Sequence, residues 1–137
     1  IHHLEEIKKI AEIMPMVDEV ELHPLLSELE LRKYCEENNI QIMAYSSTAR
    51  LDFRLKASRR MEQVCIETGK SLSQIMLRWH IQNGIIPIFN TSTFNHFKDN
   101  INVFDFKLSD EQMKIIDSMN INARTRYDSD NCEWDRL

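Results

Sequence analysis

Apolar positions along this chain follow two alternating periods. Leu4, Ile7, Ile10 and Ala11 recur at helical spacing, and the helix they predict is stopped by Pro15. VDEVEL at 17–22 alternates as a strand does and ends at His23–Pro24. Ser27 and Glu30 have capping-box spacing ahead of Leu31, Tyr34 and Cys35, which predicts a helix running to an Asn38–Asn39 turn. IQIMAYS at 40–46 reads as a second strand. Met61, Val64 and Cys65 mark a helix ended by Gly69, and Ser71 with Gln74 caps another carrying Leu72, Ile75, Met76 and Trp79. Past Gly84, the run IIPIF at 85–89 is too short for a helix and reads as a third strand. A short helix near 94–100, the turn VFDFKLS and a helix capped by Ser109 and Gln112 follow, before a tail, NARTRYDSDNCEWDRL, without periodicity.

Strand, helix and strand in this rhythm predict an α/β fold with a parallel sheet and right-handed crossovers, either open or closed as a β/α barrel. Both arrangements place ligand chemistry at the carboxyl ends of the strands. Three stretches therefore carry the candidate chemistry: 19–23, 45–48 and 90–93. Simpler roles compete at each. Glu19 and Glu21 suit the polar face of a half-exposed strand, and Tyr45 suits a packed ring with its hydroxyl in water. The five histidines, at 2, 3, 23, 80 and 96, have no partner at metal-ligand spacing, so no metal site is expected.

Composition narrows the function classes. The two glycines leave no room for a Gly-x-Gly-x-x-Gly fingerprint, a Walker A loop or a Gly-x-Ser-x-Gly elbow, and each follows a predicted helix as a left-handed cap would. A net charge of -5 provides no broad basic field, which argues against nucleic acid or an anionic membrane as a partner. No run approaches the ~20 apolar residues of a membrane helix, and IHHLEEIKK lacks the cationic start and apolar centre of a signal peptide. A cytoplasmic setting is expected. Cys35, Cys65 and Cys132 are odd in number and far apart, which points to packed thiols and away from a disulfide framework.

Three stretches taken together resemble one family. VDEVELHP, IQIMAYSS and IIPIFNTSTFNHFKDNINVFDFKLSDEQM, in this order and spacing, resemble the second half of the aldo-keto reductases. Members of that family carry Val-Asn-Gln-Val-Glu-x-His-Pro, Ala-Tyr-Ser-Pro-Leu, Ile-Pro-Lys-Ser followed by Arg and Glu-Asn, and Phe-Asp-Phe-x-Leu-Ser. The resemblance implies that residues 1–120 form the last three β/α units, with a C-terminal helix, of a (β/α)8 TIM barrel, and that 121–137 form an irregular tail. It also implies binding of NADH or NADPH and reduction of small carbonyl compounds. By the same resemblance, Tyr45 stacks on the nicotinamide, Glu19 stands where a glutamine pairs with the carboxamide, and Ser46 lies beside the pyrophosphate. Asn90 and Thr91 stand at the Lys-Ser pair that holds the adenosine 2'-phosphate, His96 at the assisting arginine, and Asp99 and Asn100 at the Glu-Asn pair that touches adenine. Tyr127 and Trp134 are candidate walls of the substrate pocket.

The departures from the family carry expectations of their own. An ionised Glu19 accepts hydrogen bonds and cannot donate to the carboxamide oxygen. Asn90 and His96 replace two fixed positive charges, which favours NADH over NADPH. Ser47 stands in place of a proline and alters the loop over the pyrophosphate. The family's catalytic residues all belong to the barrel's first half, so no catalytic residue is expected within this chain. Three strands against the eight of a closed barrel leave sheet edges and an inner face uncovered, which predicts self-association or a missing N-terminal half. Ile1, which is not an initiator methionine, favours a C-terminal portion of a larger reductase. The competing readings are a non-catalytic half-barrel that binds a dinucleotide or assembles, and an unrelated α/β binding domain.

Overall fold

The computed structural model describes residues 1–131. Strands β1 (Val17–Glu21), β2 (Gln41–Tyr45) and β3 (Ile86–Pro87) lie side by side in sequence order, all parallel. Helix α1 (His2–Lys8) precedes β1, and α2 (Leu29–Glu37) crosses from β1 to β2. The second crossover contains a one-turn α3 (Phe53–Lys56), α4 (Arg59–Thr68) and α5 (Leu72–Gln82), while α6 (Phe94–Ile101) and α7 (Asp110–Asp117) follow β3. Parallel neighbours need such helical crossovers, and these are what the alternating periods predict.

The register gives the sheet two unlike faces. Glu19 pairs with Met43, Met43 with Ile86, and Glu21 with Tyr45, so these residues share one face. Ile42 and Ala44 point the other way and are buried against the helices, in a core that includes Leu22, Val64, Ile75 and Trp79. On the first face Val17 and Ile86 remain nearly half exposed. Among the described residues, core and helices therefore cover one side of the sheet only. Trp79 is fully buried, and its Nε1–H donates to Asp117 Oδ1 at 2.8 Å, tying α5 to α7 through the core.

Helix ends follow local chemistry, with two corrections. Capping boxes form at Ser71 with Gln74 and at Ser109 with Gln112, and Gly69 takes the left-handed cap of α4 at φ +65°. Ser27 and Glu30 form no such box. Ser27 is buried, its N–H donates to Asn120 Oδ1 at 3.2 Å, and the cap position falls to Glu28 in a left-handed conformation. Contacts from the distant 120s have displaced a local motif. The first helix also stops at Lys8, well before Pro15, because Ile10 and Ile13 are exposed and nothing among the described residues packs against them. The third strand is two residues long where five were expected, although Ile88 N–H still donates to Ala44 O at 2.8 Å. Pro87 supplies no ladder donor, in keeping with an edge position. No helix among the described residues is long and apolar enough to cross a membrane.

Candidate functional site

The carboxyl ends of β1 and β2 open into a cavity of about 800 Å³ lined by Glu19, Glu21, Tyr45 and Tyr127, among others. Burial pushes the Tyr45 phenol up, the carboxylates of Glu21 and Glu19 add to this, and Arg124 and Arg126 pull it back in part. Tyr127, from the tail, is well exposed at the cavity's edge. Trp134 lies outside the described residues.

Glu21 organises this end of the sheet. Its carboxylate is buried and accepts from Thr125 N–H at 2.5 Å, Thr125 Oγ1 at 2.6 Å and Arg126 N–H at 3.2 Å. His23 Nε2 also donates to it, at 3.0 Å. Burial works to raise the Glu21 carboxyl, but the bonds from Thr125 and His23 outweigh it and hold it below the ordinary range. His23 is fully buried, its Nδ1 has no partner among the described residues, and burial pushes its ring down despite Glu21, which suits a neutral ring donating from Nε2. The tail is fastened twice more, by Ile121 N–H and Ala123 N–H on Leu25 O. Only contacts across the whole length of the chain create this anchor, and no local pattern announces Thr125 or Arg126 as part of it.

Beyond Tyr45 the backbone enters unusual territory. Ser46, Ala49, Arg50 and Leu51 all have φ between 48° and 54°, a left-handed region in which each L-residue costs roughly 1–2 kcal/mol. Ser47 is buried, and its hydroxyl donates to Ile88 O at 2.5 Å, which ties this loop to the end of β3. Asp52 then starts α3, with Arg54 N–H and the Arg54 guanidinium donating to it at 2.8–2.9 Å; those bonds hold its carboxyl at about 2.

A second cavity, of about 350 Å³, is lined by Asn90, Thr91, His96, Asp99 and Asn100, with Thr48 on its wall. Thr93 caps α6 without a side-chain hydrogen bond, which leaves the first-turn N–H groups open to another acceptor. At the other end of α6, the side chain of Gln74, a mostly buried residue, donates to Asp99 O at 2.9 Å and Asn102 O at 3.2 Å. Seven of the eight residues expected from the sequence thus fall into two groups. Glu19 and Tyr45 share the first cavity, the five from Asn90 to Asn100 share the second, and Ser46 lines neither. Tyr45 lines the first and Thr48, three positions on, lines the second. Cys35 is buried and Cys65 half-buried; burial raises both thiols, while Cys132 lies outside the described residues.

The chain is similar to known proteins over most of its length. The profile of the Aldo/keto reductase family matches residues 1–121. YtbE of Bacillus subtilis, described as an uncharacterized oxidoreductase, is 39% identical over 134 residues, covering 98% of this chain and 47% of that protein. The crystal structure of MGS-M4, an aldo-keto reductase enzyme from a Medee basin deep-sea metagenome library, superimposes with a TM-score of 0.93 at 34% identity, over 98% of this chain and 50% of that one. A mutant of Gox0644 in complex with NADPH superimposes with a TM-score of 0.90 at 27% identity, over 97% and 49%. The chain spans about half the length of the curated relatives it matches.

Proposed function

The chain belongs to the aldo/keto reductase family, and from that premise we propose that it is the cofactor-holding portion of a nicotinamide-dependent carbonyl oxidoreductase. One short loop carries the proposal: Tyr45 lines a cavity with Glu19, and Thr48, three positions on, lines one with Asn90, Thr91, His96, Asp99 and Asn100. A dinucleotide is an extended molecule with an aromatic ring at each end and charge between. Tyr45 offers a stacking face for the nicotinamide, Ser46 a hydroxyl beside the pyrophosphate, and the open start of α6 a set of donors for the adenosine end. The left-handed run at 49–51 holds that loop in shape at a cost in strain, a pattern that favours a binding role. Proton-transfer groups for a small carbonyl substrate would come from outside these residues, in a cytoplasmic setting compatible with free thiols.

Two substitutions tune the reading. Without a lysine at 90 or an arginine at 96, a 2'-phosphate loses charge-assisted bonds worth roughly 1.5–3 kcal/mol each, so NADH is favoured over NADPH. Ionised Glu19 offers the carboxamide an acceptor only, which weakens the nicotinamide end. That residue, together with the exposed inner face of the sheet, favours a second reading: a non-catalytic half-barrel that binds a dinucleotide or assembles with another chain.

Quenching of NADH fluorescence on titration with the chain tests both, with carbonyl-dependent NADH oxidation as the second readout. Saturable quenching, stronger for NADH than for NADPH, is expected. Absence of quenching overturns dinucleotide binding, and markedly tighter NADPH overturns the stated preference. Binding without turnover fits both readings for the isolated chain. Turnover without a partner refutes the placement of proton-transfer groups outside it.

A further inference from the structure

Three ligand-bearing side chains that lie far apart in sequence meet at the rim of the larger cavity. His2 Nε2 and His3 Nδ1 each stand 3.8 Å from Asp130 Oδ1, and the three atoms all lie within 4.8 Å of one another. The two imidazoles are 4.0 Å apart between ring centres, tilted by 46°. Among the described residues this is the one group of three histidine, cysteine or carboxylate side chains so placed.

We propose that His2, His3 and Asp130 form a binding site for a divalent transition-metal ion of the zinc class. Two nitrogens and one carboxylate oxygen are a donor set that zinc accepts, at about 2.0–2.2 Å each, with water completing the shell. Atoms bound to one such ion stand roughly 3–3.5 Å apart, so the present spacing closes by small side-chain rotations. All three side chains are more than half exposed, which leaves those rotations free.

Two further observations support a cation here. Seven carboxyl side chains line the cavity, among them Glu19, Glu28 and Glu30, against a single arginine, Arg124, which Glu28 already engages at 3.1 Å. Such a lining draws cations to its mouth. The tail is also not free to wander: Thr125 and Arg126 are held on buried Glu21, and Asp128 Oδ1 accepts from Asp130 N–H at 3.1 Å. Asp130 is thus presented to the two histidines by a fastened segment, and an ion bridging all three would clamp the tail onto α1 beside Tyr127. None of the three ligand residues is among those assigned to the dinucleotide, although the site shares the cavity of Glu19 and Tyr45.

Calorimetric titration of the chain with Zn²⁺ tests the site, with limited trypsin digestion at Arg124 and Arg126 as a second readout. One saturable site is expected, weakened at least tenfold by each of His2→Ala, His3→Ala and Asp130→Asn, and unchanged by Cys65→Ser or Cys132→Ser. Zn²⁺ should slow cleavage of the tail in the unaltered chain but not in Asp130→Asn. All three ligand residues are exposed, so the variants should melt as the parent does in chelator. Absence of saturable binding, binding that survives the three ligand variants, or binding lost with a cysteine overturns the assignment.

Discussion

The same three strands present two faces with opposite histories of burial. On one, Ile42 and Ala44 are buried under helices whose packed side chains include fully buried Trp79, Ile75 and Met76. On the other, Val17, Glu19 and Ile86 meet solvent, and only the Glu21 end is covered, by the tail. A parallel sheet ordinarily has both faces covered, so the difference separates what this chain stabilises by itself from what it offers to something else. The packed face should carry the stability, and the open face should carry association and ligands.

Substitution in the packed face should produce the largest effect. Trp79→Ala removes a fully buried indole and its bond to Asp117, and urea unfolding should show a loss of about 3–5 kcal/mol. A loss below ~1 kcal/mol would mean that the helical side is loosely packed and would erase the contrast between the faces.

Acid should attack the same face next. His80 is fully buried beneath the sheet, its two ring nitrogens facing Met76 O and Leu22 O, and burial pushes it down to about 4. The unfolded chain takes up that proton near pH ~6.5, so between there and about 4 the unfolded state binds more protons and stability falls as pH falls. The full span corresponds to a loss of about 3 kcal/mol, and none of it appears above pH ~6.5. His23, also pushed down by burial, adds in the same direction; below the ordinary carboxylate range Glu21, held low, continues the loss. Denaturant midpoints measured from pH 7 to 4 in the parent and in His80→Gln should diverge at the neutral end and converge at the acidic end. Parallel curves would show that His80 does not titrate as its burial requires.

The contrast also explains what the sequence disclosed. Elements whose periodicity matches their burial were legible: both strands of the β1–β2 pair, the capped helices α5 and α7, and the left-handed turn at Gly69. The grouping of Asn90 to Asn100 in one cavity also follows from strand-end logic and the family resemblance. Features fixed by residues distant in sequence were not legible. Ser27 looked like a cap until Asn120 claimed its N–H, and the first helix looked longer because Ile10 and Ile13 have the right period but nothing to pack against. Glu21 reads as one polar position in an alternating strand, and its buried anchor depends on Thr125 and Arg126 folding back from the tail.

That anchor lies where the two faces trade roles, and Glu21→Gln should sharpen the boundary. The change keeps the shape and removes the charge that three tail donors and His23 satisfy, at a cost of about 1–3 kcal/mol. Trypsin should cut at Arg124 and Arg126 faster in this variant, while the melting of the packed face shifts only by the stated amount. Unchanged cleavage would mean that the two bonds to Leu25 O suffice to hold the tail.

Ile86→Asp on the open face should produce the smallest change in stability and the clearest change in behaviour. Ile86 is 45% exposed, and it pairs with Met43 on the face that no helix among the described residues covers. Removing it leaves no cavity, so unfolding measured at low protein concentration should move by no more than about 0.5 kcal/mol. The face it belongs to is apolar at Val17, Met43 and Ile86, and among the described residues β3 has a free edge beside it. Exposed apolar surface next to an unpaired strand drives chains together. Sedimentation of the parent chain should therefore show mass rising with concentration, and the aspartate should abolish that rise by putting a charge where two apolar faces would meet. Equal sedimentation of parent and variant would show that the open face is not sticky in water, and that its exposed residues serve the cavity alone. A variant that unfolds would show instead that the open face supports the core.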